Sequence, residues 1–165
     1  VGGTIVGMYW FLMLCGRLVG ASVGAKVSSR AMMVGVGCAA FIFLVHGILL
    51  GDSATVKFPA ITSQLSFSLQ AIPVGVMFFV LCGLCTSVMW GAIFNMAVEG
   101  LGKYTSIASG IFMVMVCGGG ILPLIQGVVA DASHNYLVSY VVVLVAVAYL
   151  IWFAFSGSKV KKQNA

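Results

Sequence analysis

The chain has 165 residues, of which 62% are hydrophobic and only 7% are charged. A soluble domain carries charge on about a quarter of its residues, so this composition excludes a surface that faces water on all sides and predicts that lipid is the solvent. The net charge of +5 does not indicate a nucleic-acid partner, because the basic residues lie at the ends of apolar segments and form no patch.

Five apolar segments are long enough to cross a bilayer, which takes about 20 helical residues. Alternation of apolar and polar residues with regular turn signals is absent, so helices are favoured over a β-barrel. The sequence therefore predicts an all-α, polytopic membrane bundle with five transmembrane helices. We place them at residues 2–24, 31–51, 72–95, 105–128 and 136–156, with a tail at 157–165.

The cysteines all fall inside these apolar segments, so they indicate no disulfide framework. Cys82 and Cys85 form a CxxC pair, but no histidine or second pair lies near enough to complete a zinc site. We interpret them as small packing residues. No nucleophile and base stand together, and we expect no catalysis, no cofactor and no metal. The five cysteines are Cys15, Cys38, Cys82, Cys85 and Cys117.

The basic residues divide unequally between the two sides of the predicted bundle. Two loops and the tail on one side carry six lysines or arginines, and the two loops on the other side carry one. The six are Lys26, Arg30, Lys103, Lys159, Lys161 and Lys162, and the one is Lys57. Cytoplasmic loops are enriched in such residues, so we predict a cytoplasmic C-terminus. Tyr136 and Tyr140 then belong to the outer aromatic belt, and Trp152 belongs to the inner one.

One external connection, residues 52–71, is long and rich in Ser, Thr and Gln. Its larger apolar residues recur at helical spacing, which is typical of a short helix lying on the membrane surface. An irregular loop explains the composition equally well, and both alternatives stay open. The apolar residues in question are Phe58, Ile61, Leu65 and Leu69.

Arg17 is the charge that lies well inside a predicted span, where an arginine is costly and is usually paired or functional. Three roles are open: an anchor whose side chain reaches the interface, a structural gate, or a direct substrate contact. Gly16 and Gly20 favour the structural role, since small residues spaced by four let a neighbouring helix approach closely. The adjoining basic loop, 25–30, gives a hinge on the same side.

The fourth predicted span contains four helix-weakening residues near its middle: Gly118, Gly119, Gly120 and Pro123. Breaks at membrane depth are accepted where a cavity or a moving interface lies alongside. We therefore favour a bend beside a substrate pathway, with tight helix packing as the alternative.

The segment from Trp90 to Gly127, and on to Asp131, carries a family resemblance. It resembles the last part of the major facilitator superfamily sugar porters of the fucose permease and glucose/galactose transporter type. Tyr9–Gly20 is similar to the eighth helix of that family. The residues that stand at the family's motif positions are Ile93, Phe94, Leu101, Gly102, Ser109, Gly110, Gly118, Gly119, Gly120, Ile121, Pro123, Gly127 and Asp131.

The resemblance implies that the chain corresponds to helices 8–12 of a twelve-helix fold. In this family two six-helix halves alternate access to a central cavity, typically by proton symport. The implied partners are a sugar, protons, the bilayer and a missing N-terminal half that carries the coupling carboxylates, and the implied location is a bacterial inner membrane. Transport of another small solute, or a non-transporting receptor or scaffold, is the alternative.

Trp90 stands at an aromatic position of the family and is our candidate for stacking on a sugar ring, with Thr86 on the same helix face. Composition alone places this tryptophan in the lipid belt. Gly91 and Ala92 replace the family's usual Pro-Thr, and Asn95 stands where a small hydroxyl residue is common. Asn95 is a second polar candidate for substrate binding, and a tie between helices is the alternative for it.

Overall fold

The computed structural model describes residues 2–61 and 66–157, and the basic tail and Leu65 lie outside the described residues. The described part contains six α-helices and one β-hairpin. The helices are α1 (Gly2–Gly24), α2 (Ser29–Leu50), α3 (Val74–Val98), α4 (Thr105–Met115), α5 (Gly118–Ser133) and α6 (Tyr136–Trp152). The strands are β1 (Thr55–Ile61) and β2 (Phe67–Pro73).

Five helical segments are long and apolar enough to cross a membrane, with α4 and α5 together forming the fourth. The predicted five-span membrane bundle is therefore confirmed. The fourth span runs to Ser133 rather than to residue 128, so Asp131 lies in the last turn of α5 and not in a loop. One π-helical turn, Phe153–Gly157, continues the last span beyond α6.

Local capping explains where two of the helices begin. The Ser28 side chain accepts a hydrogen bond from the backbone N–H of Ala31 at 3.3 Å, and Asn135 does the same for Leu137 at 2.9 Å. Each side chain satisfies a backbone donor that has no partner inside its helix. At the other end of α2, Gly51 adopts a φ of 41°, which an L-residue with a side chain rarely adopts.

Helix α3 is the centre of the bundle, and α1 and α2 both pack along it. The core is built mainly from α2 and α3, with small and sulfur-containing side chains that suit close helix packing. By contrast, neither α4 nor α5 contributes a buried residue. The buried core residues are Met33, Ala40, Leu44, Cys82, Cys85, Met89, Ala92, Met96, Val147 and Ala154.

The described part of the connection between α2 and α3 forms two antiparallel strands, so for this part neither alternative that we drew for residues 52–71 is right. Thr55 pairs with Pro73, and Ile61 pairs with Phe67 at the other end of the register. β-branched and aromatic residues in β1 favour an extended chain, and an isolated helix this short is only marginally stable. We call the side of the bundle that carries these strands the hairpin end.

The fourth span is broken between α4 and α5. Around the break the backbone forms short-range hydrogen bonds, from Gly119 N to Val116 O at 2.8 Å and from Gly120 N to Cys117 O at 2.9 Å. Such bonds belong to a 3₁₀ turn, which is tighter and weaker than the α-helix. The break immediately precedes the three glycines, and Pro123 follows within the first turns of α5.

Candidate functional site

A cavity of about 450 Å³ lies between α1, α2, α3 and α6, towards the hairpin end. Its wall is mostly apolar, and most of its polar groups are tyrosine hydroxyls and the hydroxyl of Thr86. Sites of this kind bind small molecules through apolar contact, with a few polar groups that set orientation. Of the predicted substrate residues, Thr86 alone lines this cavity.

The Thr86 hydroxyl is held in place from two directions. It donates to the backbone carbonyls of Cys82 and Gly83 at 3.2 Å, and it lies 3.1 Å from the hydroxyl of Tyr9 on α1. While the Thr86 hydroxyl donates its one proton to the helix backbone, its oxygen is free to accept a hydrogen bond from Tyr9. A ligand hydroxyl that replaces Tyr9 here would meet an acceptor already in position.

Tyr140 is a second cavity residue, and its position corrects our assignment of this side chain to the outer aromatic belt. It is half-buried, and its ring stacks on Phe79 with 3.8 Å between centroids and 7° between planes. The sequence showed an aromatic residue in the first turns of an apolar helix, which is typical of the belt. Its partner lies on α3, and only the packing of α6 against that helix reveals the contact.

Trp90 lies one turn beyond Thr86 and outside the 450 Å³ cavity. Its indole is 44% exposed and packs edge to face on Phe112 of α4, with centroids 5.3 Å apart and an interplanar angle of 61°. Phe112 makes a second edge contact with Phe94, at 5.4 Å and 75°. We call Trp90, Phe94 and Phe112 the aromatic cluster. It joins α3 to α4 and leaves part of the indole uncovered.

Asn95 lies at the opposite end of α3 from the hairpin. Its side-chain amide donates to the Ser29 hydroxyl at 3.4 Å, next to a polar pocket of about 360 Å³ that includes Arg30 and Glu99. Thr86 and Asn95 are separated by about 13 Å along the helix axis. The three predicted substrate residues are therefore spread along α3, and none of the cavities of about 450, 360 and 330 Å³ holds more than one of them.

Arg17 is exposed on α1 and borders a pocket of about 330 Å³ together with Gly20, Gly91 and Asn95. A second face of the arginine borders a smaller recess beside Trp10. These positions are compatible with a gate between α1 and α3 and with an anchor at the interface, so the roles that we considered for Arg17 stay a prediction.

The glycines of α1 and those of α5 have different surroundings. A Cβ atom added at Gly16 meets the Ser87 hydroxyl and lies 2.8 Å from the Leu84 carbonyl oxygen. One added at Gly20 lies 2.7 Å from a methyl group of Val88. These two glycines let α1 approach α3 closely, as their spacing predicted. Within the described residues, nothing lies within 4 Å of a Cβ at the glycines of α5, which are Gly118, Gly119 and Gly120.

Comparison with known proteins gives relatives of one kind. A glucose/galactose transporter of Brucella abortus is 42% identical over 77 residues, which are 47% of this chain and 18% of that protein. A putative glucose/galactose transporter of Helicobacter pylori is 28% identical over 160 residues, which are 94% of this chain and 34% of that protein. The L-fucose-proton symporter of Escherichia coli is 28% identical over 81 residues, 49% of this chain and 18% of the symporter.

The chain is related to sugar porters of the fucose permease and glucose/galactose transporter type. The resemblance to this type of porter is thereby confirmed, and the five-span bundle fits part of a major facilitator fold. The chain spans about a third of the length of the Helicobacter relative. No family model matches the chain, and no solved structure matches it.

Proposed function

We propose that this sugar-porter relative transports a monosaccharide of the glucose, galactose or fucose class across a bacterial inner membrane, coupled to protons. The observation that carries the proposal is the match over 94% of the chain to a putative glucose/galactose transporter. A fucose-proton symporter among the relatives supports the coupling. The relatives are transporters, which agrees with our expectation that the chain is not an enzyme.

Trp90 is the proposed stacking residue of the sugar site. A flat aromatic face matches the apolar C–H face of a sugar ring, and a half-exposed indole can make this contact without unfolding its surroundings. Thr86 and Asn95 lie on the same helix, one on each side of Trp90 along the chain. We propose that they bind sugar hydroxyls once the second half of the transporter completes the cavity.

The proposed mechanism is alternating access between this bundle and an N-terminal half that carries the coupling carboxylates. The close packing of α1 on α3 at Gly16 and Gly20 favours movement of these helices as one body. The break before Gly118 supplies a place where the fourth span can bend. Arg17 and loop 25–30 are proposed to close the cytoplasmic side, next to Asn95.

Sugar uptake by the full-length protein in membrane vesicles tests the site. Trp90→Ala is expected to raise the KM for the transported sugar about tenfold, which corresponds to the loss of about 1.4 kcal/mol of binding free energy. Trp152→Ala is the matched control, since it removes another exposed tryptophan, which lies at the end of α6. Equal KM values for the two variants, at equal insertion, would return Trp90 to the lipid belt.

A further inference from the structure

Phe112 is the one aromatic residue of α4, and it lies at the centre of the aromatic cluster. Its half-buried ring makes edge contacts to both Trp90 and Phe94 of α3. Trp90 and Phe94 are four residues apart and therefore share a helix face. Phe112 thus contacts two aromatic side chains of the neighbouring span. Its ring packs against one side of the Trp90 indole.

The other side of the indole is less enclosed. Trp90 remains 44% exposed, and nothing in the described residues lies within 4 Å of a Cβ at the adjoining Gly91. Gly91 also borders the pocket of about 330 Å³ that extends to Asn95. Trp90 does not line that pocket, so the exposed part of its own indole is the surface that it offers to the apolar face of a polyhydroxylated ligand.

A tryptophan side chain has two torsions to restrain before its face can serve as a binding surface. Edge-to-face contact is directional, because the positive edge of one ring meets the negative face of another. A ring at the position of Phe112 therefore selects one orientation of the indole, whereas an aliphatic side chain of similar volume fills the same space without selecting one.

We propose that Phe112 is a positioning residue of the sugar site, which holds the Trp90 indole in the orientation that stacks on the sugar ring. The inference rests on the proposed function, since it assigns to Phe112 a role that acts through Trp90. Restraining the indole before the sugar binds removes the loss of side-chain freedom on binding, so Phe112 acts on affinity more than on turnover.

The test compares Phe112→Leu with Phe112→Tyr in sugar uptake by the full-length protein. Loss of the ring is expected to raise KM roughly three- to tenfold, in keeping with the strength of one aromatic pair, while the maximal rate stays within about twofold. Phe112→Tyr retains the ring and is expected to restore the wild-type KM. Met113→Leu changes the exposed neighbour and serves as the control.

A second readout needs no transport. In protein labelled with 5-fluorotryptophan, the Trp90 resonance is assigned by its loss in Trp90→Phe and followed by ¹⁹F NMR. Phe112→Leu is expected to shift and narrow this resonance as the indole becomes mobile, and Phe112→Tyr is expected to leave it close to wild type.

Different results would overturn sugar transport and the positioning role of Phe112. If the wild type takes up sugar and Trp90→Ala weakens uptake, but Phe112→Leu changes neither KM nor the Trp90 resonance, the positioning role is wrong and the function stands. A lower maximal rate with unchanged KM also overturns it, because that result indicates a structural role only. If the wild type takes up no sugar, the proposed function fails and the role of Phe112 fails with it.

Discussion

Gly16 marks a point at which α1 comes very close to the backbone of α3. A Cβ there lies 2.8 Å from the Leu84 carbonyl oxygen, which is a backbone atom and cannot turn away. We expect Gly16→Ala to destabilise the protein, because an overpacked contact costs about 1–3 kcal/mol. That cost exceeds the gain of up to about 1 kcal/mol from the better helix propensity of alanine.

Thermal unfolding of the purified full-length protein in detergent measures this effect. Gly3→Ala is the matched control on the same helix, since nothing in the described residues lies within 4 Å of its added Cβ. We expect a lower melting temperature for Gly16→Ala and an unchanged or higher one for Gly3→Ala. Equal melting temperatures would mean that α1 and α3 are not in close contact at Gly16.

For individual residues, the sequence predicted the roles that follow from spacing along one helix. It missed the contacts between side chains of different helices. Gly16 and Gly20 were found because a spacing of four puts small residues on one helix face. The Tyr9 contact to Thr86 and the stacking of Tyr140 were missed, since each joins side chains from helices that are distant in sequence. No local pattern carries that information.

The broken fourth span leads to a prediction about the rate of transport. Alanine fits at Gly119 without a clash and strengthens the α-helix by about 1 kcal/mol, which disfavours a bend by roughly fivefold. We expect Gly119→Ala to lower the maximal uptake rate several-fold and to leave KM near the wild-type value. Gly35→Ala in α2 is an equally open control. The same maximal rate in both variants would show that the break does not bend during transport.

At the hairpin end, a side-chain hydrogen bond connects the start of α6 to the loop that follows α2. The Tyr136 hydroxyl at the start of α6 donates to the Asp52 carboxylate, just beyond α2, at 2.7 Å. Both groups are exposed, so we expect a coupling free energy of only about 0.5–1 kcal/mol. A double-mutant cycle of Tyr136→Phe and Asp52→Ala on unfolding stability measures it.

Tyr149→Phe replaces Tyr136→Phe in the control cycle, because Tyr149 lies on the same helix and is exposed as well. That cycle is expected to be additive. A coupling free energy of zero in both cycles would mean that the tie between α2 and α6 adds nothing to stability.

Long apolar segments predicted the spanning helices, since a bilayer demands them whatever the tertiary packing. The hairpin was not predicted because β1 contains Pro59, and because helical and extended spacing agree at several apolar residues of this segment. The place of the break was indicated by Gly118 and Pro123, yet the 3₁₀-type hydrogen bonds begin five residues before Gly118, at the Met113 carbonyl.

The orientation of the whole molecule follows from its charges and can be tested on intact cells. We predict that the hairpin end faces outwards, because Lys57 is the lone basic residue in the two loops on that side. A membrane-impermeant maleimide is expected to label Ser53→Cys in intact cells. Tyr104→Cys, between α3 and α4, is expected to react only after permeabilisation. The reverse pattern would overturn the orientation.

Counterflow in vesicles that contain the full-length protein tests directly whether the protein transports a monosaccharide. Vesicles loaded with unlabelled glucose, galactose or fucose are placed in a trace of the same labelled sugar. We expect saturable and transient accumulation of label for at least one of the three, because a carrier that alternates between two faces exchanges internal for external sugar. Absence of accumulation for all three, from protein that is correctly inserted, would contradict transport of a monosaccharide of this class.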